Sequence, residues 1–121
     1  MPATVLVCDD EEVLRVLIAA ALGNDYVLVE ARDGDEALER ARAERPDLII
    51  LDMMMPGRSG LDVLPELRAD PDLGPTPIVM LTARTQAADR EAAAAAGADR
   101  FLAKPFSPLE LSRVVAELLD R

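Results

Sequence analysis

Five side chains that could bind a metal ion or a phosphoryl group stand at the ends of short apolar runs in this sequence. They are three carboxylates, one hydroxyl and one amine, namely Asp9, Asp10, Asp52, Thr82 and Lys104. Two carboxylates about 4 Å apart repel each other by roughly 4 kcal/mol at an effective dielectric constant near 20, and a third carboxylate adds to that repulsion. If the fold brings these carboxylates together, a cation must lie between them.

The composition narrows the identity of that cation. The chain has no histidine and one cysteine, Cys8, so its ligands are oxygen atoms and favour a hard ion such as Mg²⁺ over zinc. Lys104 adds a positive charge, and it is the only lysine beside twelve arginines. The lack of histidine also excludes catalytic triads and histidine-based zinc sites within this chain.

Short apolar runs must position these residues. Five runs are typical of strands: Thr4–Cys8, Tyr26–Ala31, Asp47–Leu51, Pro77–Leu81 and Arg100–Ala103. The first, third and fourth runs are apolar without alternation, as expected for parallel strands that are covered on both faces. The pattern therefore predicts a parallel sheet between layers of helices.

Helical patterns fill the intervals between the runs. Apolar stripes at helical spacing predict buried helix faces, one at Leu14, Leu17, Ile18 and Ala21 and one at Leu111, Val114, Val115 and Leu118. Asp33 and Ser107 are predicted helix caps, the alanine tract at 92–96 predicts a further helix, and Pro65 should delay, bend or open the helix around it. Five βα units predict an α/β fold with a doubly wound sheet, in which the carboxyl ends of the strands gather the candidate site residues.

The charge of the chain limits the partners that we expect. With 13 basic and 23 acidic residues, the formal net charge is −10, which disfavours direct binding to nucleic acid. No apolar run is long enough to cross a bilayer and no signal-peptide pattern is present, so we expect no membrane association and a cytoplasmic location. We expect residues 1–121 to form one domain, with no output domain in this chain.

At the strand ends, the sequence resembles the receiver domain of bacterial two-component response regulators, with the chemotaxis-regulator-like, flavodoxin-like fold. The resemblance covers essentially the whole chain. It is carried by Cys8-Asp9-Asp10-Glu11, by Leu51-Asp52-Met53-Met54-Met55-Pro56-Gly57 with Gly60, by Leu81-Thr82-Ala83, and by Gly97-Ala98 through Phe101-Leu102-Ala103-Lys104-Pro105-Phe106. It implies five strands in the order 2-1-3-4-5, flanked by five helices.

The resemblance also implies a function for the acidic residues. Asp52 would accept a phosphoryl group from a phosphohistidine of a histidine kinase or a histidine phosphotransfer protein. Asp10, Asp52 and the backbone carbonyl of Met54 would hold Mg²⁺, for which Mn²⁺ can substitute, and Asp9 would assist through water. Apart from this self-catalysed transfer and a slow autodephosphorylation, we expect no enzymatic activity.

The remaining motif residues would carry the switch. By the same resemblance, Lys104 would contact the carboxylate and then a phosphoryl oxygen, the Thr82 hydroxyl would bind another oxygen, and Phe101 would turn inward when Thr82 moves. The readout surface for a downstream protein would be the fourth helix, fifth strand and fifth helix, at about residues 86–120. Lys104 must also be turned back toward Asp52, which predicts a cis Lys104–Pro105 bond.

Simpler interpretations exist for single residues and for the whole chain. Asp10 could cap the helix that begins near Glu11, Phe101 could be an ordinary core residue, and Cys8 is most simply a small buried hydrophobic residue. We interpret the three methionines at 53–55 as packing residues. Two other functions are an aspartate-nucleophile phosphatase, which usually carries a second aspartate where this chain has Met54, and a receiver-like scaffold that binds partners without phosphorylation.

Overall fold

The structure is a computed structural model that describes residues 2–83, 91–92, 94–95 and 97–119. Five parallel strands form one sheet in the order β2-β1-β3-β4-β5, as predicted. Their bounds are Ala3–Cys8 for β1, Tyr26–Ala31 for β2, Leu48–Asp52 for β3, Ile78–Ala83 for β4 and Arg100–Lys104 for β5. The chain thus turns from β1 outward to β2 and returns to β3 on the other side of β1.

Four α-helices with defined bounds connect and cover these strands in the described part of the chain. They are α1 at Glu12–Leu22, α2 at Gly34–Glu44, α3 at Gly60–Ala69 and α4 at Pro108–Leu118, and a short 3₁₀ helix at Gly23–Asp25 follows α1. Five helices were expected. Most of the additional helix, predicted between β4 and β5, lies outside the described residues, although the backbone at positions 91–92 and 94–95 is helical.

Side chains on the two faces of the sheet form two separate cores. Because successive residues of a strand point to opposite faces, Ile49 and Leu51 lie in one core while Leu48 and Ile50 lie in the other. The first core includes residues of α2 and α3, and the second includes residues of α1 and α4. The strands β1 and β3 are covered on both sides, which explains their apolar sequences without alternation.

The helix caps follow local sequence signals. The side chains of Asp33 and Ser107 accept hydrogen bonds from the backbone N–H groups of Glu36 and Glu110, as predicted for the first turns of α2 and α4. The α3 cap was not predicted: Ser59 and Asp62 form a reciprocal capping box, and a Ser-x-x-Asp spacing signals it in the sequence. The helix that follows this cap continues through Pro65.

The predicted buried stripe of α1 is wrong at one position. Leu17 is 54% exposed, whereas Ile18 and Leu22 are buried against the sheet. Leu17 instead lines an open groove between α1 and the start of α4. The corresponding stripe of α4 is confirmed, with Leu111, Val114 and Val115 in the core. No helix in the described part of the chain is long and apolar enough to cross a membrane.

Candidate functional site

Three carboxylates meet at the carboxyl ends of β1 and β3, and we call this group the acidic edge. Each of Asp9, Asp10 and Asp52 offers a carboxylate oxygen, and these oxygens lie within 4.8 Å of one another. Asp9 and Asp52 are buried and Asp10 is exposed. The chain leaves β1 and β3 in different directions from this point, and the resulting crevice is where open α/β sheets bind ligands. The predicted convergence of the three residues is therefore confirmed.

Lys104, the only lysine of the sequence, brings an ammonium group to the acidic edge. Its Nζ lies 3.1 Å from Asp9 Oδ2 and 3.1 Å from Asp52 Oδ2. Lys104 is the last residue of β5, and the peptide bond that follows it is cis, as predicted. One ammonium group therefore contacts two buried carboxylates, while no ion pair is formed by Asp10 among the described residues.

The surroundings of the site shift the pKa values of Asp52 and Lys104. Burial and the neighbouring Asp9 charge raise the pKa of Asp52 to about 6, although Lys104 and the Met54 N–H act in the opposite direction. Burial lowers the pKa of Lys104, but the carboxylates of Asp52 and Asp9 outweigh it and hold that pKa above its usual value. Asp52 is thus ionised at neutral pH and becomes protonated in mildly acidic solution.

Thr82 supplies a buried hydroxyl without a partner. Its Oγ1 is the one buried side-chain polar atom among the described residues that forms no hydrogen bond with another of them. Thr82 is the fifth residue of β4, and Asp52 on the neighbouring strand pairs with Leu81, the residue before Thr82. Burying a hydroxyl without a hydrogen bond costs free energy, so this hydroxyl is available to donate to a ligand at the site. An anionic oxygen atom can accept this hydrogen bond.

Backbone hydrogen bonds hold the acidic side chains in place. Asp9 Oδ1 accepts from the Glu11 N–H at 2.9 Å, and Asp52 Oδ1 accepts from the Met54 N–H at 3.2 Å. The N-cap of α1 is Glu11, and no side chain caps this helix, so the alternative interpretation of Asp10 as a helix cap is wrong. Asp10 is left available for a ligand.

The loop after β3 approaches the site closely through Gly60. The Gly60 N–H donates to the Met53 carbonyl at 2.9 Å, and a Cβ at this position would collide with the carbonyl oxygen of Asp52. Only glycine fits there without moving the backbone of Asp52. This contact explains the glycine that belongs to the Asp52 motif of the sequence.

The three methionines of this loop behave differently from one another. Met53 and Met55 are buried, as predicted for packing residues, but Met54 is 70% exposed. The packing interpretation is wrong for Met54, because its N–H faces Asp52 while its side chain lies on the surface.

Cys8 is buried, as predicted, and burial raises the pKa of its thiol. Phe101 is half-buried against the core on the α2–α3 side, which is compatible with a core role and with a switch role.

The acidic edge has the chemistry of a Mg²⁺ site. Carboxylate oxygens are the protein ligands that Mg²⁺ takes most often, and here three carboxylates face a single ammonium group. The excess negative charge and the exposed position of Asp10 leave room for a hydrated cation. The residues present therefore fit this metal.

Sequence reasoning missed one residue at the site, Arg15. This side chain extends from α1 to the backbone carbonyl of Asp9, where its Nη1 donates at 2.7 Å. Arginine in an amphipathic helix normally indicates a solvated surface, so no signal in the sequence distinguished Arg15 from the other arginines.

Comparison with known proteins agrees with this geometry. The profile of the response regulator receiver domain matches residues 5–116. The chain is 43% identical over 122 residues to the probable transcriptional regulatory protein TcrX of Mycobacterium tuberculosis, an alignment that covers 99% of this chain and 51% of that protein. It spans about half the length of the curated relatives it matches.

Solved structures share the whole fold. A putative response regulator from Chloroflexus aurantiacus has a TM-score of 0.95 at 35% identity, with complete coverage of both chains. The receiver domain of the sensor histidine kinase PA1611 from Pseudomonas aeruginosa, with a magnesium ion coordinated in its active site cleft, has a TM-score of 0.91 at 31% identity, again with complete coverage. Since the matching profile includes every strand end that contributes to the acidic edge, the chain belongs to the receiver domain family of two-component response regulators.

Proposed function

We propose that Asp52 is the phosphoacceptor of this chain and that its phosphorylation switches a protein-binding surface. One observation carries the proposal: a buried, nucleophilic carboxylate lies 3.1 Å from the only lysine, within the acidic edge. A phosphoacceptor role is typical of the family to which the chain belongs. We propose no enzymatic activity beyond self-catalysed transfer and slow autodephosphorylation.

The transfer forms one bond and breaks another. An oxygen of Asp52 attacks the phosphorus atom of a phosphohistidine, the new O–P bond forms, and the P–N bond to the leaving imidazole breaks. Because residues 1–121 contain no histidine, the donor is a phosphohistidine outside this sequence or a small acyl phosphate. With a pKa of about 6, Asp52 is ionised at neutral pH and offers its electron pair to phosphorus.

Asp10, Asp52 and the backbone carbonyl of Met54 are the proposed Mg²⁺ ligands, with Asp9 acting through water. When bound, Mg²⁺ neutralises negative charge on the phosphoryl oxygens, and Mn²⁺ should serve equally because it accepts the same oxygen ligands. Lys104 and Thr82 are the proposed donors to the remaining phosphoryl oxygens. Lys104 already lies beside Asp52, and no residue that the structure describes competes for the Thr82 hydroxyl.

A groove beside the acidic edge supports a histidine-bearing protein as the partner. It lies between α1 and the start of α4, has a volume of about 470 Å³, and is lined mostly by apolar side chains. Val13 and Leu17 at this groove are 72% and 54% exposed. Lys104 also lines it and contacts Asp52, so a protein seated in the groove lies next to the phosphoacceptor. We propose that a histidine kinase or histidine phosphotransfer protein docks here.

The proposed readout surface spans residues 86–120. Of this span, residues 86–90, 93, 96 and 120 lie outside the described residues. The strand β5 and the helix α4, which is the fifth helix of the sequence prediction, are described. Phe101 in β5 pairs in register with Met80 of β4, two residues before Thr82. A hydrogen bond from Thr82 to a phosphoryl oxygen stabilises one arrangement of β4 and β5 over the other, which is the difference in free energy that a switch requires.

Nucleic acid is a less favoured partner of the chain itself. The net charge of −10 opposes contact with phosphates. Several relatives are named transcriptional regulators, and each is about twice as long as the matched region. We propose that any such activity requires protein outside residues 1–121, and that this chain binds proteins.

The intact mass of the protein, measured before and after incubation with Mg²⁺ and acetyl phosphate, tests the proposal. We expect one phosphoryl group on the wild type, none on Asp52→Asn, and one on Asp35→Asn, which changes an exposed carboxylate in the first turn of α2. Labelling of Asp52→Asn at the wild-type level would overturn the assignment. A wild type that binds its partners but takes no phosphoryl group from any donor would favour the scaffold alternative.

A second experiment separates docking from chemistry. Leu17→Glu places a charge in the groove, so it should slow transfer from a phosphorylated kinase and leave labelling by acetyl phosphate unchanged. Equal slowing with both donors would show that the substitution damages the site and does not act on docking.

A further inference from the structure

Arg15 connects three elements that surround the acidic edge. Its guanidinium group extends from α1, donates from Nη1 to the Asp9 carbonyl oxygen at 2.7 Å, and donates from Nε to Glu30 Oε1 at 2.9 Å. The Arg15 side chain is only 10% exposed, whereas that of Glu30 is 58% exposed. A nearly buried arginine with a fixed fork of donors is thus held between β2 and the loop that follows β1.

These contacts determine the orientation of the backbone at the acidic edge. The Asp9 N–H donates to the Ala31 carbonyl at 3.0 Å, so with Arg15 on its carbonyl both backbone polar groups of Asp9 are occupied. The Asp9 carbonyl and the Asp10 N–H belong to the same rigid peptide plane. By holding that carbonyl, Arg15 also sets the direction in which the chain carries Asp10 toward Asp52.

We propose that Arg15 is a positioning residue for Mg²⁺ binding, acting through the Asp9–Asp10 peptide and itself oriented by Glu30. The inference rests on the proposed function, because the ion it concerns is the one assigned to the acidic edge. Groups that orient metal ligands without touching the metal commonly change its affinity by about tenfold or more when they are removed. Arg15 forms no hydrogen bond or ion pair with any of the three carboxylates in the described structure.

The sign of the effect separates positioning from simple electrostatics. A cation next to a metal site repels the metal, so removing the Arg15 charge should strengthen Mg²⁺ binding if charge alone matters. If Arg15 positions the ligands, removing it should weaken binding. The two explanations therefore predict opposite changes in the dissociation constant.

The experiment is a calorimetric Mg²⁺ titration of the wild type, Arg15→Met and Arg32→Met, at a temperature where urea unfolding shows each to be folded. Arg32 is a matched control, since it lies just after β2, is 71% exposed and pairs only with Glu36 in the described structure. We expect Arg15→Met to weaken Mg²⁺ binding about tenfold. We expect Arg32→Met, which loses the same charge, to bind as tightly as the wild type or slightly tighter.

A second variant covers the case in which Arg15→Met does not fold. Arg15→Lys keeps the charge and loses the fork that reaches Asp9 and Glu30 together, so its affinity should also fall below that of the wild type. Unchanged or tighter Mg²⁺ binding in a folded Arg15 variant, with or without a loss of unfolding free energy, would overturn the inference. A wild type that binds no Mg²⁺ would instead overturn the proposed function.

Discussion

The two edges of the sheet differ in how far their charged and polar groups are paired with one another. At the carboxyl edge, three carboxylates face one ammonium group, and the buried Thr82 hydroxyl has no partner within the described part of the chain. At the amino edge, where β4 and β5 begin, Arg68 of α3 uses every N–H of its guanidinium group. Nε and Nη2 donate to the Gly97 carbonyl, Nη1 to the carbonyls of Gly74 and Thr76, and Nη2 to Asp99 as well.

This difference distinguishes the carboxyl edge, which can bind ligands, from the amino edge, which stabilises the fold. Polar groups at the amino edge satisfy one another: Asp99 Oδ2, for example, accepts from Arg68 and also from the Ile78 N–H at 2.8 Å. Such a network stabilises the folded chain, and every guanidinium N–H of Arg68 is already used within it. The carboxyl edge keeps unbalanced charge and an unused donor, which cost stability until a cation and an anion arrive.

We expect the largest change in the free energy of unfolding when the Arg68 hydrogen bonds at the amino edge are removed. Arg68→Met leaves the carbonyl groups of Gly74, Thr76 and Gly97 without their side-chain donor and leaves Asp99 with only the Ile78 N–H of its two donors, so we expect the free energy of unfolding to fall by about 4 kcal/mol. Urea unfolding followed by circular dichroism measures it. Arg32→Met removes an exposed arginine and should change the unfolding free energy by less than about 0.5 kcal/mol. Similar losses in the two variants would contradict the comparison.

At the carboxyl edge, neutralising a charge should stabilise the protein. Without divalent ions at pH 7.5, Asp52→Asn should raise the free energy of unfolding by about 2 kcal/mol, since the folded-state pKa is about 6 and the unfolded value is near 3.9. As the pH falls through 6, folded Asp52 takes up a proton while the unfolded residue is still ionised, so the wild type gains stability relative to the variant.

Most of the advantage of Asp52→Asn should therefore be lost by about pH 4, where folded Asp52 is protonated and the unfolded residue is about half protonated. Urea unfolding of both proteins between pH 4 and 8 measures this dependence. An advantage that stays constant over this range would show that the buried charge is not its cause.

Mg²⁺ should offset part of the destabilisation that the buried Asp52 charge causes. At a concentration ten times its dissociation constant, Mg²⁺ should stabilise the wild type by about 1.4 kcal/mol, because it binds the folded acidic edge alone. Thermal melts at pH 7.5 with and without the ion measure this gain. Asp10→Ala should lose most of it, and the wild type should lose it below pH 6, where Asp52 becomes protonated. Equal gains in Asp10→Ala and the wild type would show that the ion binds elsewhere.

We expect the smallest changes in the free energy of unfolding when two hydroxyl groups, one at each of two different sites, are removed. Thr82→Val replaces a buried hydroxyl that has no partner among the described residues by a methyl group of similar shape, so it should raise the unfolding free energy by up to about 1 kcal/mol. Ser59→Ala removes a hydroxyl that caps α3 and should lower it by about 1 kcal/mol. Losses of equal size in both variants, again from urea unfolding, would mean that Thr82 has a structural partner.

Much of the fold follows from patterns that are local in the sequence. The apolar runs identified all five strands to within two residues at each end, and the cap signals at Asp33 and Ser107 predicted the starts of two helices. Leu17 shows where such patterns fail. Its spacing fits a buried stripe, but its burial depends on how closely α4 approaches α1, and α4 leaves the groove open.

The sequence by itself determined which residues gather at the acidic edge, because the ends of parallel strands meet at one edge whatever their distance along the chain. Only the tertiary structure decided which of those charges are balanced. Lys104 contacts Asp9 across 95 positions, and Arg68 contacts Asp99 across 31. Such pairings depend on strand register, helix placement and burial, and no spacing in the sequence encodes them. For the same reason Arg15 and Arg68, two arginines among twelve, could be distinguished from surface residues only by the atoms they reach.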